Sequence, residues 1–177
     1  MKYIIAFTML FSSGIMLAQN VWKAVDESQI VTKSGADREI IPTKYGTFSL
    51  DFKKMQKALL KSPHEKSTSK LSQAVSLDLP LPDGNIIPFR FFESPCMSPV
   101  LAAKFPNIKS YRGFTDDQSG DQARIDFSPG GFHAVIKTKE GVIYIDPYFT
   151  ESDGHYISYY VRDHIIDTEN FEKTCGI

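Results

Sequence analysis

Six side chains in this 177-residue chain carry sulfur or imidazole donors suited to zinc binding or nucleophilic catalysis: Cys96, Cys175, His64, His133, His155 and His164. A zinc peptidase places two histidines four residues apart on a helix, and none of these histidines has such a partner. The sequence also lacks the Gly-x-Ser-x-Gly turn of serine hydrolases, a phosphate-binding glycine loop and a dinucleotide fingerprint. We therefore predict that this chain is not itself an enzyme.

Two groups of acidic and histidine side chains invite a metal-site interpretation. Asp116, Asp117 and Asp121 share one polar loop, but their spacing departs from the alternating ligands of a calcium loop. The second group has no metal-ligand spacing either, and it comprises Asp153, His155, Asp163 and His164. We predict a solvated turn and a polar strand edge, with no cofactor in this chain alone.

The two cysteines permit two interpretations. In an exported chain, Cys96 and Cys175 would form a disulfide that closes a long loop and contributes on the order of 4 kcal/mol. Alternatively, the Cys175 thiolate would bind a zinc ion of another domain at about 2.3 Å, because a catalytic zinc keeps one coordination position open for water. Gly176 beside it would let the backbone approach a narrow cleft. The residues alone leave both interpretations open.

The N-terminus predicts export. Lys2 precedes an apolar run over residues 4–11, and Ala18 supplies a small residue before the expected cleavage point. Residues 1–18 are therefore predicted to be a secretory signal peptide, since about 15 apolar residues fall short of the roughly 20 that a spanning helix needs. The protein would be secreted or extracytoplasmic. Its formal net charge of −1 and its lack of a basic block give no reason to expect nucleic acid or, after signal removal, a membrane as partner.

The remaining pattern predicts an α+β domain that is mainly antiparallel β-sheet, built from hairpins and a meander, with two short helices. One helix is expected over 52–61, capped by Asp51, with Phe52, Met55, Gln56 and Leu59 on one face. The other follows Ser98-Pro99, with Leu101 and Phe105 on its buried face. Residues 21–45 are expected to form an arm that packs on the domain. Strands are predicted over 47–50, 75–80, 86–92, 108–114, 123–127, 132–137, 142–145 and 157–161.

Several segments carry a family resemblance. Residues 173–177 (KTCGI) resemble the cysteine-switch segment that ends the propeptides of reprolysin (adamalysin-type) zinc metallopeptidases, in which a basic residue, Cys, Gly and a small aliphatic residue recur. Most of residues 20–165 is similar to the propeptide of bacterial, Bacteroidetes-type members. The carrying segments are LPLPDGNIIPFRFFESP, SPVLAAKFPNIKSYRGF, ARIDFSPGGFHAVIKTKEGVIYIDPY and YISYYVRD.

The resemblance implies a propeptide domain over 19–165 and a C-terminal tail over 166–177. It implies that this domain assists folding of a zinc metallopeptidase, in cis or in trans, and inhibits it while Cys175 occupies the open zinc position. The zinc would belong to the partner. No peptidase domain occurs in residues 1–177, so a stand-alone secreted binding module with a Cys96–Cys175 disulfide remains the alternative.

Overall fold

The computed structural model describes residues 21–31, 37–117, 119–128, 131–150 and 153–164. The predicted signal peptide (1–18) and the predicted tail (166–177), with Cys175, lie outside the described residues. The described residues therefore belong to the body of the predicted propeptide domain.

Nine antiparallel strands form one sheet, in the order β1-β2-β9-β8-β7-β6-β5-β4-β3. From β3 to β9 each strand pairs with the next one along the chain, and β9 then pairs with β2. The edge strands β1 and β3 contact each other, so the sheet is nearly barrel-shaped. The strands are β1 Trp22–Ala24, β2 Gly46–Leu50, β3 Val75–Pro80, β4 Ile86–Glu93, β5 Lys109–Phe114, β6 Gln122–Ser128, β7 Gly131–Lys137, β8 Val142–Pro147 and β9 His155–Tyr160.

The period-two pattern of the sequence produces this sheet. In β7, Phe132, Ala134 and Ile136 are buried in the core, while the alternate residues face outward. The same alternation lines the interior with aromatic and aliphatic side chains from every strand, so the core lies inside the curled sheet. The prediction of a mainly antiparallel β domain is confirmed.

The first helix, α1 (Phe52–Leu59), begins where the sequence predicted. Asp51 caps it by accepting a hydrogen bond from the Lys54 backbone N–H at 2.9 Å. Met55, Ala58 and Leu59 are buried against the core, whereas Gln56, which was predicted on this face, is exposed. Within the described residues, neither this helix nor any other is long and apolar enough to span a membrane.

The second helix, α2 (Pro99–Lys104), corrects one prediction. Ser98 caps it as expected, but no residue of the helix is buried. Leu101 is 42% exposed and Phe105 is 49% exposed, so the predicted buried face is wrong. A spacing of four residues shows that two side chains share a face, but not whether another element covers that face.

The arm before β2 packs as predicted, although part of it forms strand β1. Glu27, in a short 3-10 helix, accepts hydrogen bonds from the Tyr45 hydroxyl (2.7 Å), the Tyr148 hydroxyl (2.6 Å) and Arg38 Nη1 (2.9 Å). The Arg38 guanidinium also lies over the Tyr148 ring, 4.2 Å from its centroid. This cluster fastens the arm to the outer face of the sheet, where Tyr148 belongs to a second buried group of side chains.

Candidate functional site

Cys175, the one predicted metal ligand, lies outside the described residues. The described chain ends at His164, 11 residues before Cys175. An extended segment of that length spans at most about 36–40 Å. The zinc-ligand role therefore stays a prediction, and the structure supplies only the point from which the segment departs.

Cys96 is exposed and is not in a disulfide with any described residue. The Arg124 guanidinium contacts its sulfur, and the Ser110 hydroxyl lies 3.6 Å from it. The thiol borders a surface pocket of about 270 Å³ whose wall is largely apolar and includes Pro95, Met97 and Ile108. Pairing of Cys96 with Cys175 stays untested, because only one of the two cysteines is described.

His133 lies at the centre of a polar network on the outer face of the sheet. Its Nδ1 is 2.8 Å from Asp146 Oδ1, and the Tyr159 hydroxyl donates to Asp146 Oδ2 at 2.8 Å. Asp126 stands directly across from His133 in the β6–β7 register. The sequence placed His133 on a strand, but the contact with Asp146 depends on a register that local patterns do not reveal.

The network raises the pKa values of three of its members for different reasons. The hydrogen bond to Asp146 raises the pKa of His133, with a further contribution from the charge of Asp126. Burial raises the pKa of Asp126 and of the Tyr159 hydroxyl. The arrangement therefore favours a protonated His133 that is held between two carboxylates.

A pH-dependent contribution to stability arises from this network. Because the folded-state pKa of His133 is raised above its unfolded value, the stabilisation is complete below about pH 6.5 and is lost as pH rises through the folded-state pKa. We expect the difference in unfolding free energy between the parent and His133→Gln to be larger at about pH 6 than at about pH 8.5. Urea denaturation at both values measures it. A difference that is equal at the two values, or larger at the higher pH, would contradict the raised pKa.

The other predicted polar groups have local roles in the structure. His155 Nδ1 pairs with Asp153 Oδ2 at 2.9 Å in the turn before β9, and the His164 ring packs edge-on against Tyr159. Asp117 accepts hydrogen bonds from the Ser119 backbone N–H (3.0 Å) and hydroxyl (2.6 Å), which lower the pKa of Asp117. Within the described ranges, no three His, Cys, Asp or Glu side chains are grouped to hold a metal ion.

A groove and a basic pair occupy the outer face beside the loop over 65–71. The groove encloses about 630 Å³, and Leu71, Phe92 and Phe114 give it an apolar wall. Arg112 borders it and stands directly opposite Arg124 in the β5–β6 register. Like charges directly opposite each other on neighbouring strands repel, so this pairing is locally unfavourable. Sequence periodicity predicts that both arginines face outward, but it does not predict that they are neighbours on adjacent strands.

Comparisons with protein-family models, with curated proteins and with solved structures found no match to this chain.

Proposed function

We propose that this chain is an exported, non-catalytic prodomain that assists folding of a reprolysin-type zinc metallopeptidase and inhibits it through Cys175. The observation that carries the proposal is the segment Lys173-Thr174-Cys175-Gly176, whose cysteine lies 11 residues beyond His164, the last described residue of a well-packed β domain. A thiolate at the end of such a segment can enter a cleft that the body of the domain would not fit.

The chemistry of inhibition requires only one ligand from this chain. A catalytic zinc has three protein ligands and an open position for the water that attacks the substrate. A thiolate in that position displaces the water and so removes the nucleophile. In this proposal the partner peptidase supplies the three protein ligands, and this chain supplies only the Cys175 thiolate.

The body of the domain supports a role in covering and folding a partner. Its interior is filled by side chains from every strand, and the described cavities are open grooves on the surface. Exposed apolar side chains on α2 and at its C-terminal cap, including Val100 (73% exposed) and Phe105 (49% exposed), offer surface for contact with a protein. The same features also suit the alternative, a stand-alone binding module.

The test is inhibition in trans of a purified reprolysin-type zinc peptidase by the exported domain. We expect Cys175→Ala to weaken inhibition by about tenfold or more, because each tenfold corresponds to only about 1.4 kcal/mol of lost zinc binding. Cys96→Ala is the matched control and should inhibit as the parent does. Undiminished inhibition by Cys175→Ala would eliminate the switch and leave only steric blocking.

The mass of the intact exported chain distinguishes the prodomain from the alternative, a stand-alone binding module. The exposed thiol of Cys96 is accessible for pairing, so a Cys96–Cys175 disulfide would appear as a loss of two hydrogens. A disulfide in the exported protein would favour the static module and count against a free Cys175.

A further inference from the structure

Six residues on the outer face form a continuous row across six strands of the sheet, which we call the outer row; Tyr159 and Phe92 at its ends are buried, and the four between them are exposed or half-buried. Each is the direct register partner of the next: Tyr159 in β9, Tyr144 in β8, Val135 in β7, Arg124 in β6, Arg112 in β5 and Phe92 in β4. The row begins beside the end of the described chain, because the His164 ring packs on Tyr159 with 5.7 Å between ring centroids.

The outer row consists of three consecutive zones that differ in side-chain type. It is aromatic and apolar at Tyr159, Tyr144 and Val135. It is then basic at Arg124 and Arg112. It ends in the apolar groove, where the Phe92 and Phe114 rings meet edge-on at 6.5 Å.

Among the residues that the structure describes, neither arginine of the outer row forms a salt bridge, although the charge of Arg124 acts on the Asp126 carboxyl and Glu65 and Asp121 border the groove beside Arg112. Arg112 donates to the Gln122 side-chain oxygen at 3.1 Å, and Arg124 donates to the Ser94 carbonyl at 3.2 Å and contacts Cys96. The ion pairs found in the described ranges involve neither arginine. A carboxylate over this pair would relieve the repulsion between them.

The segment that follows His164 has the same order of side-chain types in its sequence. Ile165 and Ile166 are apolar, Asp167 and Glu169 are acidic, and Phe171 is aromatic. The lengths agree as well. Five strand spacings from Tyr159 to Phe92 amount to about 24 Å, and seven extended residues from His164 to Phe171 span about 23–25 Å.

We propose that the outer row is the docking site for residues 165–171 of this same chain. Because side chains alternate in an extended segment, one face of it carries Ile165 over Tyr144 and Val135, the carboxylates of Asp167 and Glu169 over the two arginines, and the Phe171 ring in the groove. The match in order, charge and length carries this assignment.

The docking has a consequence for Cys175 that rests on the proposed function. Held at Phe171, the remaining four residues to Cys175 span at most about 13–14 Å, against about 36–40 Å from His164. Docking would therefore confine the thiol to one side of the domain, next to the groove, and raise its effective concentration at a peptidase bound there.

A spin label on the full chain tests the docking without any peptidase. In Cys96→Ala/Cys175→Ala protein, a nitroxide is attached through Asn170→Cys, and the amide signals of the 15N-labelled chain are recorded. We expect the signals of Arg112 and Arg124 to be lost, while that of Ser49, on strand β2 outside the row, persists. Loss at Ser49 instead, or at no amide of the row, would overturn the proposal.

Charge-neutral variants identify the contact. Arg112→Gln/Arg124→Gln should restore the lost signals by weakening docking on the order of tenfold, as should added salt. Asp167→Asn/Glu169→Gln tests the same contact without altering the body, so it decides the question even if the arginine variants fold poorly. Signal loss that persists in the Asp167→Asn/Glu169→Gln protein would overturn the charge pairing.

A mixed sample separates this chain from a second copy as the occupant. Chains at natural nitrogen abundance that carry the nitroxide are mixed with 15N-labelled chains that carry no nitroxide. Signal loss in the mixture would mean that the segment docks on another molecule, and it would overturn the intramolecular proposal. Because no peptidase is present, failure of the docking is distinct from failure of Cys175 to inhibit.

Discussion

Replacing Gly113 with alanine is expected to destabilise the domain by roughly 2–3 kcal/mol, although it adds a single methyl group. Gly113 lies in β5 with its α-carbon facing the core, directly across from Phe91. A β-carbon at this position would lie 2.5 Å from one ring carbon of Phe91 and 2.8 Å from two others. Phe91 is fully buried, so its ring has no free space into which to move.

Urea denaturation followed by circular dichroism measures this loss. The matched control relieves the clash from the other side, because Phe91→Leu removes the ring that the new methyl group would strike. We expect Gly113→Ala in the Phe91→Leu background to cost markedly less than in the parent, which gives a favourable coupling energy in the double-mutant cycle. Additive costs would show that the penalty at Gly113 does not come from contact with Phe91.

Local patterns predict most strands because strands such as β7 bury alternate residues on one face, although β9 buries four residues in succession. Alternation predicts the three-strand meander over 123–145, and the residue types of Pro82–Asn85 predict a turn between the strands over 75–80 and 86–92. In that turn Gly84 adopts a positive φ of 91°, and Asp83 accepts a hydrogen bond from the Asn85 N–H at 3.0 Å. Both features, the positive φ of Gly84 and the Asp83–Asn85 hydrogen bond, involve only neighbouring residues, so the local sequence is sufficient to predict them.

Long-range pairing could not be predicted in the same way. The β2–β9 pair joins Phe48 to Tyr156 across more than one hundred residues, and no local signal specifies which strand accepts β2. The outer row is equally hidden, because it depends on five separate registers. Helix α2 shows a further limit: its apolar residues predicted burial, yet within the described residues no element covers them.

The tail and the body of the domain therefore differ in how much can be inferred. The body has a self-consistent pattern of core, caps and turns that the structure largely confirms. The chemistry predicted for Cys175 depends on a family resemblance and on a segment outside the described residues. The outer row connects the two, since it gives a physical reason for residues 165–171 to have their order of apolar, acidic and aromatic side chains.

Replacing Trp22 with alanine is expected to cost about 3–5 kcal/mol, the range for deletion of a large buried aromatic side chain. Trp22 is 2% exposed in the short edge strand β1, and its ring meets Phe132 and Tyr156 edge-on with 5.5 Å between centroids in each pair. Without this ring, β1 would keep its backbone pairing with β2 but lose its anchor in the core.

A conservative replacement at Trp22 should behave quite differently. The indole Nε1 is buried and has no hydrogen-bond partner among the described residues. Trp22→Phe removes this unsatisfied donor while keeping an aromatic ring, so the loss of packing is partly offset by the desolvation cost that the indole no longer imposes. We expect Trp22→Phe to cost less than about 1.5 kcal/mol in urea denaturation followed by circular dichroism. Equal costs for the phenylalanine and alanine variants would instead mean that the indole N–H makes a bond that the fold requires.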